Sequence, residues 1–449
     1  MRRSSPLPKR YGIILAVSVL VNIFFLAHWL FRNHGSPKPD AIATNHSIKK
    51  NRALSTKAKD NIKKLKTLGY LPFYKKAPKK AGITRYVKGK AYEGLNLYSS
   101  AYAVEAVLMD MEGHQIHKWK VELPVILKAL NPDMSKKDLQ SVQKHPIFWK
   151  ISRFGWWRKL HLYKNGDIMG LITGSGLVKL DINSNIIWKY VGNVHHQMVC
   201  ADNGHIYVLE RQKRFDPKYN ENESFIDDLI VILDQEGNKI ESVSVLDCLE
   251  NSNYRPILSK MEFRGDLFHT NTIFPLDNRF TDKSPAFKKG NFLISCRELN
   301  LIGIIDFKAG KAVWGLANMW KAQHQPEMLS NGHMLVFDNQ WRQNRSRIIE
   351  FDPFTRQVYW TYQGTPENPF FTSVAGAFQT LPNGNLLIVE TENGRAFEIM
   401  SSGEIVWEFI SPHRFKNKKG REFIYSLFQM TRINQTFFGD FHPLISKAR

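Results

Sequence analysis

From about residue 83 the chain alternates short apolar runs with polar turns rich in Asn, Asp and Gly. Period-two alternation bounded by such turns predicts β-strands joined by hairpins. Two units recur. One is an Asn-Gly turn followed by an apolar strand: NGDIMGLI from Asn165, NGHIYVLE from Asn203, NGHMLVFD from Asn331 and NGNLLIVE from Asn383, with a variant near Gly290. The other is an acidic or polar turn followed by a strand that commonly ends in Trp. It begins at Asp110, Asp181, Asp234, Asp306, Asp352 and Ser401, at spacings of roughly 46 to 72 residues. Interleaved, the units give four strands per repeat, the pattern of propeller blades. Six copies predict an all-β fold, a six-bladed β-propeller over 83–449. A sandwich pair or a solenoid is the competing architecture. The FQMTRI run at 428–433 is the strand expected to complete the first blade. The segment 120–150 breaks the pattern and reads as a helical insertion with an N-cap at Ser135.

A different texture precedes the repeats. Tyr11–Phe31 carries no Asp, Glu, Lys or Arg and is long enough for one helical membrane span. Arg2, Arg3, Lys9 and Arg10 lie just before it, so residues 1–10 are expected to be a cytoplasmic basic tail and 11–31 an uncleaved transmembrane signal anchor. A cleaved signal peptide is the alternative, but the apolar run is longer than the usual ~7–15-residue core of such peptides. Residues 32–82 read as a basic linker, with a short helix around 55–68. The propeller is then expected on the periplasmic or extracellular side of a single-pass membrane protein.

Charge changes the picture only once it is located. The net charge is +22, but residues 1–90 hold 21 of the 63 Lys and Arg and only two acids, Asp40 and Asp60. The rest is close to neutral. The basicity therefore points to the membrane surface or to solvated linker over 49–90, and not to nucleic acid. Three cysteines, Cys200, Cys248 and Cys296, make no disulfide framework.

The repeats also expose what does not repeat. HQPEMLSNGHMLV from His324 superposes without gaps on HQMVCADNGHIYV from His196, which follows His195. The sixth repeat has Gly376 at the histidine position, and the Asn165 repeat has Arg158. A scaffold residue would recur in most blades; this histidine recurs in two. Between them, DLFHTNTIFPL places His269 and Asn271 in the same pre-strand region, and the next strand ends near Arg297. Inner-strand loops of a propeller converge at one mouth, so these residues are expected to meet. Three histidines alone would suggest zinc, but no carboxylate, Cys or local chelate spacing joins them, and no metal or cofactor is expected. Histidines with an Arg suit an anion, because guanidinium donates forked hydrogen bonds to oxyanions and neutral imidazole is a nucleophile or acid–base group.

DLFHTNTI, LISCREL, QHQPEMLSNGHMLVFDN and the earlier HHQ…NG together resemble the bacterial arylsulfotransferases, six-bladed propellers independent of 3′-phosphoadenylyl sulfate. The likeness spans nearly all of 85–435. It implies transfer of a sulfuryl group from a phenolic sulfate to a histidine and then to an acceptor phenol. His324 would be that nucleophile, Arg297 would hold sulfate oxygens, and His196 and His269 would contact the sulfuryl group or the phenolic oxygens. Asn271 would orient the donor, with His195 as a further substrate-binding residue. Trp320, Trp341 and Phe370 are candidates for stacking on the aryl group, or else blade-packing aromatics.

The chain departs from that pattern in two respects. Gln197 and Gln325 stand where the family often has Asp, and an anchor and linker replace the separate N-terminal β-domain and cleaved signal peptide. A homodimer is compatible with the sequence. A non-catalytic propeller that binds an anionic ligand or a protein partner is the alternative, although a lost nucleophile or Arg would be its mark and both are present. A quinone-dependent dehydrogenase propeller would need acidic calcium ligands near the channel, and no such set is found.

Overall fold

The computed structural model describes residues 73–144, 155–417 and 419–439. The expected anchor, most of the linker and the short helix at 55–68 lie outside them. Among the described residues no helix is long and apolar enough to cross a membrane.

Six antiparallel sheets follow one another along the chain. Blade two runs from Lys159–Leu162 to Ile186–Val191, blade three from Val194–Cys200 to Lys239–Ser244 and blade four from Thr270–Pro275 to Lys311–Ala317. Blade five runs from His324–Met328 to Val358–Tyr362, and blade six from Ala377–Thr380 to Ile405–Ile410. In each, the first strand lies innermost, touching the first strands of its neighbours. Blade one is composite. Its inner strand is Leu427–Ile433, which pairs with Leu95–Ser100 and so joins the C-terminal segment to three early strands.

The four repeat Asn-Gly turns, at Asn165, Asn203, Asn331 and Asn383, connect the first and second strands of a blade, and the six acidic or polar turns connect the third and fourth. The side chains show why. Asn165, Asn203, Asn331 and Asn383 each accept, through Oδ1, the backbone N–H two residues on, across a glycine. Gly166, Gly204, Gly332 and Gly384 have φ between 83° and 89°, where only glycine is unstrained. Three of the recurrent Trp residues staple neighbouring blades. Trp119 Nε1–H donates to Gly166 O at 3.0 Å, Trp360 to Ser401 O at 2.9 Å and Trp407 to Met111 O at 3.0 Å.

The hydrophobic cores lie between blades. Leu97, Leu108, Leu160 and Val178 join blades one and two; Leu171, Val208 and Val231 join two and three; Leu209, Ile230, Ile294 and Leu301 join three and four. The series continues with Leu293, Ile304, Val336 and Ile349, then Phe337, Ile348, Ile388 and Phe397. Val389, Val406, Tyr98 and Met430 join blade six back to blade one. The ring therefore closes as a six-bladed propeller. A buried clasp reinforces the closure. Arg432, on the C-terminal strand, meets Glu398 of blade six at 3.0 Å and Asn96 of blade one at 2.7 Å.

Three features elaborate the ring. Gly82–Tyr86 adds a fifth, outermost strand to blade six. Phe73–Lys76, inside the stretch expected as linker, forms a three-stranded sheet with Arg414–Lys416 and Glu422–Tyr425. The insertion after blade one holds helices Leu123–Leu130 and Lys136–Lys144. Ser135 caps the second, accepting from Asp138 N–H at 3.1 Å and donating to the Asp138 carboxylate at 2.7 Å.

Candidate functional site

The inner strands of blades three, four and five share a local distortion absent from the inner strands of blades two and six. Register shifts lie between His195 and Met198, Thr270 and Thr272, and His324 and Glu327. Next to each shift a non-glycine residue takes positive φ: His196 at 54°, His269 at 48° and Gln325 at 45°. Bulges with such backbone re-aim a side chain that the pleat would send elsewhere, at a cost of roughly 1–3 kcal/mol each.

These three blades bring the histidines together. His196, His324, Asn271, Thr272, Gln197 and Gln325 line one partly open cavity of ≈ 410 Å³ of empty space, joined by Arg158, Lys159, Ala375, Gly376, Ala377 and Phe428. The His196 and His269 rings meet edge to face, with centroids 4.7 Å apart. Arg297 is not among the lining residues, but its charge reaches His324. Backbone bonds from Arg297 N–H to His269 O at 3.4 Å and from Glu298 N–H to Phe268 O at 3.1 Å hold it beside His269. The Arg297 guanidinium pairs with Glu298.

A hydrogen-bond network assigns the protonation of His324. The Asn339 amide donates both N–H groups to carbonyls, Thr372 O at 2.9 Å and Ala375 O at 2.8 Å, so its Oδ1 must be the atom facing His324 Nδ1 at 2.7 Å. Ala322 O lies 3.1 Å from the same nitrogen. Two acceptors on Nδ1 require a proton there, leaving Nε2 with its lone pair. Burial, then the Arg297 charge, push the His324 pKa well below the usual imidazole value, against the Asn339 hydrogen bond. His324 is therefore neutral at physiological pH.

His196 is set up from behind. Its Nδ1 lies 2.9 Å from His195 Nδ1, and His195 Nε2 lies 3.2 Å from Asp228 Oδ1. The second contact is within ion-pair range but off line for a hydrogen bond, since both atoms lack a well-aligned partner. A proton on His195 Nε2, facing the carboxylate, makes its Nδ1 the acceptor and His196 Nδ1 the donor. His196 Nε2 is then also unprotonated. Burial first, and then His269 and Arg158, hold the His196 pKa well below its usual value. His195 is completely buried and lies outside the cavity lining, behind His196.

His269 Nδ1 lies 2.8 Å from Asp266 Oδ2, and Asp266 is paired to Arg211 at 2.9 Å. Burial works to raise the Asp266 pKa, but Arg211 and His269 overcome it, so the carboxylate stays ionised. Asn271 Nδ2 donates to Gln323 O at 2.8 Å, the peptide just before His324. Gln325 N–H donates to Thr272 Oγ1 at 3.0 Å, and its amide bonds to Phe378 O of blade six. Gln325 thus braces blade five against its neighbours.

Other residues fall elsewhere. Trp320 and Phe370 are buried in inter-blade cores, and Trp341 is exposed with Arg342 over its ring. None lines the cavity; its aromatic is Phe428. The lining also holds Arg158, which the repeat alignment had put at the histidine position without assigning it to the site, and Lys159, the next residue. Asp266 and Asn339 stand at the ends of segments that carry the family likeness but have no role there, and Asp228 lies in none; their contacts appear only once the blades are packed. Gly376 explains the missing sixth-blade histidine: a Cβ there would lie 2.5 Å from the Phe337 ring.

Among the described residues no group of three or more His, Cys, Asp or Glu side chains has the geometry to hold a metal, and the three cysteines are free. A larger hollow of ≈ 690 Å³ lies among Tyr219, Arg255, Pro256, Leu258, Ser259 and Phe263, with no histidine or carboxylate in its lining.

The sequence profile of the arylsulfotransferase (ASST) family matches residues 162–414, more than half of the chain. No curated protein matches the chain in sequence. Similar solved structures include a protein of unknown function from Bacteroides caccae, at 13% identity and TM-score 0.44, covering 71% of this chain and 94% of that one. The WD40 propeller domain of Doa1 is similar at 11% identity and TM-score 0.39, covering 80% and 94%. Virginiamycin B lyase from Staphylococcus aureus is similar at 14% identity and TM-score 0.33, covering 57% and 69%.

Proposed function

The chain belongs to the arylsulfotransferase family, and from that premise we propose that it moves a sulfuryl group from a phenolic sulfate to a phenol through His324, independently of 3′-phosphoadenylyl sulfate. The observation that carries this reading is the state of His324: neutral, with Nδ1–H held by Asn339 and Nε2 free to attack. In the first half-reaction the Nε2 lone pair forms a bond to sulfur. The ester S–O bond breaks, its electron pair stays on the phenolate oxygen, and that oxygen takes up a proton. In the second, the acceptor phenol loses its proton and its oxygen takes the sulfuryl group from the histidine. Splitting one displacement into two is the advantage of a covalent intermediate.

Charge builds on the sulfuryl and bridging oxygens in each step, and fixed cations and N–H donors stabilise it best where water is excluded. Arg297 serves the sulfuryl oxygens. His269, held by ionised Asp266, faces the phenolic oxygen, and His196 contacts the sulfuryl group. His195 positions His196, and Asn271, in the cavity wall, orients the donor. A membrane anchor at 11–31, a propeller on the outer side of that membrane, and a homodimeric state belong to the same proposal.

The test is turnover of an aryl sulfate with a phenolic acceptor, with and without His324→Ala. Phenol release and acceptor sulfation are expected from the native protein and not from the variant. Transfer that survives in the variant would remove His324 from the reaction. No turnover by the native protein across several aryl donors would favour a non-catalytic anion-binding propeller.

A further inference from the structure

The proposed transfer leaves one proton to place in each half-reaction. A departing phenolate must gain one and an acceptor phenol must lose one, while His324 is engaged at sulfur. Two histidines could carry it. His269 lies outside the cavity lining, with its Nδ1 tied to Asp266 at 2.8 Å. His196 lines the cavity together with His324, and its Nδ1–H points away from it, to His195 at 2.9 Å. The unprotonated Nε2 of His196 is the nitrogen left for the cavity.

What lies behind His196 decides what it can do with a proton. An imidazolium in this wall would be opposed on every side: burial first, then His269, Arg158 and His195 all disfavour a cation on His196. One residue back the balance changes. Burial also works against a charge on His195, but the Asp228 carboxylate, the strongest charge beside it, favours one. Asp228 Oδ1 lies 3.2 Å from His195 Nε2, and both side chains are completely buried. Neither atom has a well-aligned hydrogen bond at rest, so the contact gains most when His195 becomes an imidazolium. Thr270 N–H fixes the carboxylate by donating to Asp228 Oδ2 at 2.7 Å. The register shift after His195 turns two successive histidines to different tasks, one in the wall and one behind it.

We propose that His196 is the proton carrier of the transfer and works as the outer member of a relay, His196–His195–Asp228. This rests on the arylsulfotransferase reading and completes its proton balance. In the second half-reaction the acceptor O–H breaks and its proton goes to His196 Nε2. The Nδ1 proton of His196 passes to His195 Nδ1, so the cation forms beside Asp228 and not in the cavity. The phenolate oxygen bonds to sulfur, and the S–N bond breaks with its electron pair returning to His324 Nε2. The next departing phenolate, or water, takes the proton by the reverse route. His196 is thus catalytic, while His195 and Asp228 are positioning residues that act through it.

The test compares Asp228→Asn with the native protein, one half-reaction at a time, with melting temperature checking the fold. The burst from 4-nitrophenyl sulfate without acceptor reads the first half-reaction, whose leaving group needs no proton. Discharge of the sulfurylated protein by unsubstituted phenol reads the second, in which a proton must be removed. Loss of the carboxylate should slow discharge roughly 10–100-fold, as removing a partner that supports a histidine does, and the burst far less. Equal slowing of both steps, as a merely structural role would give, or discharge at the native rate, would overturn the relay while leaving the sulfotransferase reading intact. So would the same selective loss in Asp266→Asn but not in Asp228→Asn, which would give the proton to His269. Imidazole nitrogen resonances of the histidine-labelled native protein read the resting protons without turnover. His195 Nε2 and His196 Nδ1 should carry them, and a proton on His196 Nε2 would equally exclude the relay. Failure of every aryl sulfate to give a burst would sink the transfer itself, and the relay with it.

Discussion

Asn339→Leu isolates the preparation of His324. The substitution conserves volume and removes three hydrogen bonds: one from His324 Nδ1–H at 2.7 Å and two to Thr372 O and Ala375 O at 2.9 and 2.8 Å. Thr372 O keeps the Ser346 hydroxyl at 3.1 Å, whereas among the described residues no other hydrogen bond to Ala375 O is observed. One newly unsatisfied buried carbonyl costs about 1–3 kcal/mol of stability. The catalytic effect is bounded on both sides. The Ala322 carbonyl, 3.1 Å away, still accepts from Nδ1 and partly preserves the tautomer. The loss should therefore fall well short of the ~10⁴-fold seen when a histidine is left in the wrong tautomer. A drop of about 10–100-fold is expected, typical of removing a partner that orients a histidine. It should appear in kcat for both half-reactions, with KM little changed. Stopped-flow release of the first phenol measures the first half-reaction directly. Unchanged kcat, or a change confined to KM, would refute the assignment of Asn339 as the group that fixes His324.

Three further outcomes follow from the same contacts. His195, His196 and His324 have folded pKa values below the unfolded one, so the unfolded chain binds more protons in acid. Their stability contribution is complete above pH ~6.5 and declines as pH falls below it, by up to about 1.4 kcal/mol per pH unit for each histidine, which denaturant titrations at successive pH values would detect. Gly376→Ala, at φ 96° with its Cβ 2.5 Å from Phe337, should cost about 1–3 kcal/mol in thermal melts. Arg432→Met strands Glu398 in the clasp and should cost about 3–5 kcal/mol, read as a lower denaturant midpoint.

The ring was legible because its signals are local. An Asn-Gly turn states its own geometry, and an Asp that accepts from its own turn states another, so the hairpins of each blade could be placed from the sequence. The Leu427–Ile433 strand was found because the blade count left one place to fill. Much of the mouth was legible for a different reason: His196 and His324 occupy equivalent places in a repeat that is otherwise scaffold. What escaped is what depends on packing. Asn339 closes the segment that carries the family likeness, but its part in fixing His324 was not legible, since the two meet only across a hairpin. His195 was expected as a further substrate-binding residue, but the bulge turns His196 toward the cavity and leaves His195 against Asp228. Aromatic identity could not separate Phe428, in the mouth, from Trp320 and Phe370, in the cores.

The central claim is that His324 carries the sulfuryl group between two phenols. The direct measurement is to mix the protein with an aryl sulfate in the absence of acceptor, quench, and determine intact and peptide masses. The account predicts a stoichiometric burst of phenol and a gain of one sulfuryl group on the peptide containing His324, discharged on adding a phenol. A burst with the group on another residue, or transfer proceeding with no modified protein at any time, would contradict it.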